Sequence, residues 1–326
     1  MMSAPIEALT GWFQLGWSDT VPPGELVSVT VLGHGLVARR TLAGNLVVTD
    51  AHCPHLGAHL GMGCAVGDGL RCPMHGWEWG EDGSNTRIPY RDDTAASVGL
   101  RVFPSRELFG LLFVWIGNAG VAPNHEPLAP GGTFDIELRR DALVGGASSG
   151  TTRLGPMTVH PQLAIEDRVD VDHFVGPHGT EPPILNNLTL DGPYFSTHIT
   201  VEAPNLRDGD KFQSEVLSTV TGLGISCLRI RVPTHAVYIV LSISPIDDRR
   251  SLVFHTLWVE PHSNSSASAL LEEMLTMMRE QLNRDLAIWS RMRLVPIPND
   301  PVAAQPGLAA VRTWAKQFYP NGNVAF

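Results

Sequence analysis

Lysine is nearly missing from this chain: only Lys211 and Lys316 occur in 326 residues, so the other basic side chains are arginines. Charge is scarce as well, at 17% of residues against a typical share of about 25%. What charge there is leans acidic, with 23 basic and 33 acidic side chains and a net charge of -10. That balance excludes an electrostatic footprint for nucleic acid. Cysteine is limited to four, too few for a disulfide scaffold in a chain of this length. No apolar run approaches the roughly 20 residues of a membrane span. The first residues, MMSAPIEALTGWF, lack the basic and apolar regions of a secretory signal. These absences predict a cytoplasmic protein, where clustered cysteine means metal or redox chemistry rather than covalent staples.

What is present points to strands and turns. Hydrophobic residues make up 43%, and 32 glycines and 25 prolines exceed average usage, which favours a loop-rich, strand-rich fold over a helical bundle. Residues 26–32, 36–40, 46–50 and 111–116 read as short β-branched strands, with a turn at Gly33-His34-Gly35. Periodicity then fails over 117–132, a stretch rich in glycine, proline and asparagine. It predicts a domain boundary, giving domains of 1–118 and 119–326. The second part is predicted to hold a helical stretch around 158–175 and an antiparallel block over 183–259. A long helix from the cap Ser263-Asn264-Ser265-Ser266 to about Arg293 and a short helix over 307–318 follow.

The densest local signal is Cys53-Pro54-His55, sixteen residues, then Cys72-Pro73-Met74-His75. Two thiolates and two imidazoles can build a tetrahedral zinc site. They can equally build a two-iron, two-sulfide cluster in which one iron keeps two Cys and the other takes two His. Zinc knuckles usually pair like with like. Here each loop offers one Cys and one His, as the mixed cluster requires. Cys64 and Cys227 fall outside the pattern as bystanders, and Cys64 reads as a small buried residue. His52 and His59 flank the ligands as loop or supporting residues.

A second constellation lies in the other domain. Four carboxylates and two histidines crowd the segment from Glu166 to His178. His173 and His178 can reach one metal if a helix ends near Gly176-Pro177. Two imidazoles and one carboxylate on one face of an iron leave positions open for oxygen chemistry. The long helix offers the carboxylate: Leu271, Leu275, Met278, Leu282 and Trp289 form an apolar stripe, and Asp285 falls on it. A carboxylate on a buried face needs a metal or a cation; Arg284 and Arg279 are the alternative partners.

Together these residues resemble the Rieske non-haem iron oxygenases, in their large oxygenase subunit. The Rieske motif is joined by Asp170-x-x-His173-x4-His178 and by Asp285 in Asp285-Leu286-Ala287-Ile288-Trp289. Gly11-Trp12-Phe13-Gln14, the run from Asp50 to Gly61 and Trp314-Ala315-Lys316-Gln317-Phe318-Tyr319 are most similar to the 3-ketosteroid 9α-hydroxylase branch, and related cholesterol desaturases share much of it. The resemblance implies an α+β chain, a β-rich Rieske [2Fe-2S] domain followed by a helix-grip catalytic domain. It implies a [2Fe-2S] cluster on Cys53, His55, Cys72 and His75, and mononuclear Fe(II) on His173, His178 and Asp285. It further implies a head-to-tail homotrimer in which Asp170 bridges His75 of one copy to His173 of the next. The expected reaction is hydroxylation of an apolar, steroid-like polycycle with O2 and electrons from a reductase or ferredoxin fed by NAD(P)H. The remaining readings are a Rieske oxygenase of secondary metabolism or sterol desaturase acting on another apolar scaffold, a Rieske electron carrier, or a zinc-stabilised interaction protein. One residue departs from the branch: Asp167 stands where Asn usually follows Glu166.

Overall fold

The computed structural model describes residues 9–130, 142–204, 211–261, 266–297 and 305–322. Among them no helix is long and apolar enough to cross a membrane. The N-terminal half is built of short antiparallel strands. β1 (Gly11–Trp17) is the first. β2 (Val27–Val31), β3 (His34–Arg40) and β4 (Leu46–Asp50) follow. A small ribbon holds β5 (Cys64–Val66), β6 (Gly69–Arg71), β7 (Glu78–Trp79) and β8 (Asn85–Arg87). β9 (Val102–Phe103), β10 (Ser105–Leu108) and β11 (Leu111–Ile116) complete the half. They form three sheets, ordered β1-β11-β10, β2-β3-β4-β9 and β5-β6-β7-β8. The predicted strands over 46–50 and 111–116 appear with those bounds.

The first hairpin turn is displaced from the expected position. Leu32 (φ 50°) and Gly33 (φ 75°) make the turn, while His34 and Gly35 already belong to β3. A bulky residue at positive φ is costly, and tertiary contacts offset the cost here. Leu32 is buried, its N–H donates to the Pro245 carbonyl at 2.8 Å, and Gly33 N–H donates to that of Ile246 at 2.7 Å.

The C-terminal half is one antiparallel sheet under a long helix. Its strands are β12 (Val144–Gly145), β13 (Thr151–Met157), β14 (Ile184–Asp191) and β15 (Tyr194–Pro204). β16 (Lys211–Thr221), β17 (Ile225–Val232), β18 (His235–Pro245) and β19 (Ser251–Pro261) complete it. The order is β12-β19-β18-β17-β16-β15-β14, with β13 also paired to β19. Helix α2 (Ala267–Trp289) lies on one face and buries Leu271, Met274, Met278, Leu282, Leu286 and Trp289. Leu275 is only partly buried. Ser266 caps the helix by accepting from Ala269 N–H at 3.4 Å. The helix stops at Trp289 rather than near Arg293.

The helical stretch expected over 158–175 is broken in two. α1 (Pro161–Glu166) is followed by a turn and then a 3₁₀ turn, Val171–Phe174. Asp170 at φ -83°, ψ 82° interrupts the α path. The short polar side chains that crowd this segment compete for backbone groups and disfavour a continued helix. α3 (Pro306–Ala315) and a 3₁₀ turn through Phe318 cover the last predicted helix.

The two halves share buried surface. Trp12 and Trp17 of β1 pack with Phe254, Tyr238 and Cys227 of the large sheet, and Trp17 Nε1 donates to Thr256 Oγ1 at 2.8 Å. Phe13 packs with Trp314 and Phe318 from the C-terminal helix. Cys227 sits in this interior, where burial pushes its thiol up to about 12, so it is inert as expected. Cys64 is different: it is exposed at the start of β5, not buried. Opposite Arg71 on an edge strand of the ribbon, it is covered by none of the described residues.

Candidate metal centres

Two loops of the N-terminal half present matching knuckles. In the first, Cys53 N–H donates to the Ala58 carbonyl at 2.9 Å and Gly57 N–H donates to that of Cys53 at 2.8 Å. In the second, Cys72 N–H donates to the Trp77 carbonyl at 2.8 Å and Gly76 N–H to that of Cys72 at 3.1 Å. Both closures need a left-handed residue, supplied by Gly57 (φ 76°) and Gly76 (φ 72°). At Gly76 a Cβ would also come within 2.9 Å of the Pro89 ring.

The knuckles sort their donors by depth. Cys53 and Cys72 are buried at 2% and 3% exposure, while the rings of His55 and His75 lie nearer the surface with centroids 4.8 Å apart. Burial pushes the Cys53 thiol up; the His55 backbone N–H opposes this and the adjacent Cys72 thiol adds to it. Two thiols crowded in an apolar pocket suit a cationic centre. The indole N–H of Trp79 is buried with no oxygen or nitrogen partner and bears on the Cys53 sulfur, a donor fitted to anionic sulfur. An inner sulfur pair and an outer imidazole pair match a cluster with one all-sulfur iron and one iron carrying two nitrogens. His55 stacks on Trp77 at 4.2 Å and 8°, and Trp77 Nε1 donates to the Tyr90 hydroxyl at 2.9 Å. Trp77 was not singled out from sequence, although its place two residues after His75 was a usable signal. The flanking His52 and His59 face each other in an isolated bridge, rings 5.4 Å apart.

The second group lines one end of a cavity of about 870 Å³ between α2 and the large sheet. His178 Nε2 lies 3.3 Å from Asp285 Oδ1, and the rings of His173 and His178 are 5.2 Å apart. Asp285 is 9% exposed. Neither arginine considered as a partner reaches it: Arg284 is exposed, and Arg279 Nη2 donates to Thr152 Oγ1 at 3.4 Å. A buried carboxylate that faces, among the described residues, only an imidazole is a poor arrangement without a cation, so these donors fit a divalent metal. His173 Nδ1 meets the Asp170 backbone carbonyl, which fixes the tautomer and leaves Nε2 turned to the cavity. The expected link through the Asp170 carboxylate is not made within the chain; that carboxylate accepts from Gln305 Nε2 at 3.3 Å.

Three donors do not close on one point. Among the described residues no group of three is drawn to metal-ligand spacing. His178 pairs with Asp285, whereas His173 Nε2 pairs with Asp167 Oδ2 at 3.2 Å. Asp167 also accepts from Arg168 Nη2 at 2.6 Å. Burial pushes the Asp167 carboxyl up, opposed by the Arg168 guanidinium. The departure noted in sequence therefore sits against one of the candidate ligands.

Sequence reasoning missed the clamp beneath this segment. Arg312 of α3 grips Glu166 at the end of α1, Nε to Oε1 at 2.9 Å and Nη2 to Oε2 at 2.8 Å. Glu166 Oε1 accepts also from Gln162 Nε2 at 2.7 Å, and the Tyr319 hydroxyl donates to Gln162 Oε1. Both charged side chains are about nine-tenths buried, at 11% and 8% exposure. Arg312→Leu therefore strands a buried carboxylate and is expected to cost about 3–5 kcal/mol in urea unfolding. The double variant Arg312→Leu/Glu166→Leu should recover most of that loss, because no uncompensated charge remains.

Comparison with known proteins bears on both centres. Residues 11–104 match the Rieske [2Fe-2S] domain family, and residues 135–319 match the family described as 3-ketosteroid 9alpha-hydroxylase C-terminal domain. The chain is 29% identical to cholesterol 7-desaturase of Xenopus laevis, over 96% of this chain and 72% of that protein. It is 26% identical to a 3-ketosteroid-9-alpha-monooxygenase oxygenase component of Rhodococcus rhodochrous, over 97% and 85%. The fold superposes on dicamba monooxygenase bound to dicamba with a TM-score of 0.71 at 16% identity, covering 97% of this chain and 98% of that one.

Proposed function

The chain belongs to the Rieske non-haem iron oxygenases that carry the 3-ketosteroid 9alpha-hydroxylase C-terminal domain, and on that premise we propose that it hydroxylates an apolar, steroid-like polycycle. The observation that carries this reading is the His178–Asp285 pair at one end of an elongated apolar cavity. From Asp285 to Leu270, both on the cavity wall, α2 runs roughly 20 Å at about 1.5 Å per residue. That length suits a fused-ring substrate better than a single ring.

In this reading Cys53, Cys72, His55 and His75 hold the cluster, and His173, His178 and Asp285 hold the mononuclear iron. When bound, the cluster supplies single electrons and the mononuclear iron supplies dioxygen chemistry. The protein does the rest. The Asp170 carbonyl aims His173; the Asp285 carboxylate contributes charge where a cation must be kept. Ile239, Leu241, Met274, Met278 and Leu282 exclude water and leave shape as the main guide for an apolar substrate.

The reading extends to partners. Electrons come from a reductase or ferredoxin fed by NAD(P)H, in the cytoplasm. The boundary at 118/119 separates an electron-carrying domain from a catalytic domain. The assembly is a head-to-tail homotrimer, with Asp170 joining His75 of a neighbouring copy, through its carboxylate, to His173, through its backbone carbonyl. The similarity to a cholesterol 7-desaturase favours desaturation as the second reading.

The test is dioxygen uptake with a surrogate reductase across 3-ketosteroids and sterols, with products analysed by mass. Substrate-dependent uptake with gain of one oxygen atom is expected. Loss of two hydrogens would favour the desaturase reading. Absence of uptake with every steroid, while the iron centres are intact, would overturn the steroid assignment.

A further inference from the structure

β19 alternates between two environments. Phe254, Thr256 and Trp258 face β1 and its tryptophans, whereas Val253, Leu257 and Val259 face α2. His255 falls in the second row. It stands between the aliphatic Val253 and Leu257 and is 4% exposed; the other polar residue of the row, Ser251, is satisfied by donating to the Val159 carbonyl at 2.7 Å. Opposite it in the ladder stand Leu241 on β18 and Thr152 on β13. Its ring lines the cavity together with Leu241, Ile239, Met278 and Leu282.

The ring has no hydrogen-bond partner among the described residues. Thr152 Oγ1, the nearest hydroxyl by register, is engaged by Arg279 at 3.4 Å. Burial, with the Arg279 charge adding to it, lowers the His255 pKa to about 4. At neutral pH the side chain is thus an uncharged imidazole with one N–H to donate. A buried polar group normally finds a partner, and an unpaired one is costly. Here the open side is the cavity, so the partner belongs to whatever fills it.

We propose that His255 is a specificity-determining residue whose imidazole N–H donates to a ring oxygen of the substrate, a carbonyl or hydroxyl, fixing how the polycycle lies against the iron end. This assignment rests on the reading of the cavity as the pocket for an apolar polycycle. An apolar pocket alone discriminates weakly between similar skeletons, whereas a buried donor rejects an analogue that cannot satisfy it. One donor on one wall therefore sets orientation where shape cannot.

The experiment compares two probes on the iron-loaded protein: progesterone and its counterpart lacking the 3-oxygen. Dissociation constants are measured by equilibrium dialysis. The wild type should bind the ketone about 10-fold or more tightly than the deoxy compound. His255→Leu removes the donor with little change in volume and should bind both probes alike, the ketone more weakly than the wild type does and the deoxy compound at least as tightly, since no donor is left unpaired. His255→Gln, which keeps an N–H, should retain part of the preference. In turnover, KM should rise for the ketone alone. A His255→Leu protein that keeps the wild-type preference overturns the assignment while leaving the pocket reading intact. If neither steroid binds the wild type, the pocket reading fails and the assignment falls with it.

Discussion

Asp285→Ala is expected to release about one iron per chain, leaving the roughly two irons of the cluster and its colour. Dioxygen uptake should disappear with the released iron, while reduction of the cluster by an external donor continues. The effect is electrostatic. Asp285 is buried on the inner face of α2, and its near contact is an imidazole at 3.3 Å. Such a carboxylate is stable only with a cation beside it. Once it is removed, His173 and His178 provide two neutral donors, and the nearby Asp167 carboxylate is already engaged by Arg168 at 2.6 Å, which leaves too little to retain a divalent ion. The helix itself should persist, since alanine favours helix and the neighbouring Leu282, Leu286 and Trp289 keep their packing. Iron and acid-labile sulfide are measured together. If the variant held as much iron as the wild type, the catalytic centre would have to be sought elsewhere and the electron-carrier reading would gain. A colourless wild-type protein without sulfide would instead point to zinc.

The cluster loops were legible because their chemistry is local. Cys53, His55, Cys72 and His75 sit in two short knuckles closed by their own backbone bonds, so spacing alone carried their relation. The stripe on α2 was legible for a similar reason, since helical period fixed Asp285 among Leu282 and Trp289 before any partner was known. What was hidden depended on distant chain. The Leu32-Gly33 turn is set by carbonyls of Pro245 and Ile246, so local turn preferences started it one residue late and ended it two residues late. The segment over 158–175 read as helix because its apolar residues suit one. Its actual course is held by Arg312 and Gln305, well over a hundred residues away. His255 lay in plain view as a polar residue at an inward position of an alternating strand. Which face of that strand bordered a cavity could be learned only from the packing of α2.

Asp170→Asn is expected to separate metal binding from electron delivery. The side-chain carboxylate is not what holds His173; the backbone carbonyl of residue 170 does that, and the substitution leaves it in place. Iron content and the cluster spectrum should therefore match the wild type. Turnover should fall by about 10–100-fold or more, since in the proposed trimer this carboxylate is the group that meets the neighbouring copy's His75. In a single turnover with substrate and dioxygen, the pre-reduced cluster should stay reduced instead of reoxidising. The direction of transfer is then tested by mixing. A His75→Ala chain keeps Asp170 but lacks a competent cluster, and an Asp170→Asn chain keeps the cluster but lacks the bridge. If electrons cross between copies in a head-to-tail ring, co-assembled chains regain activity at each junction where an intact His75 meets an intact Asp170. Random assembly makes about a quarter of the junctions productive. Transfer confined within one chain would restore none, because each chain carries one of the two defects. Recovery in the mixture, absent from either variant alone, is thus a property that only the inter-copy route produces.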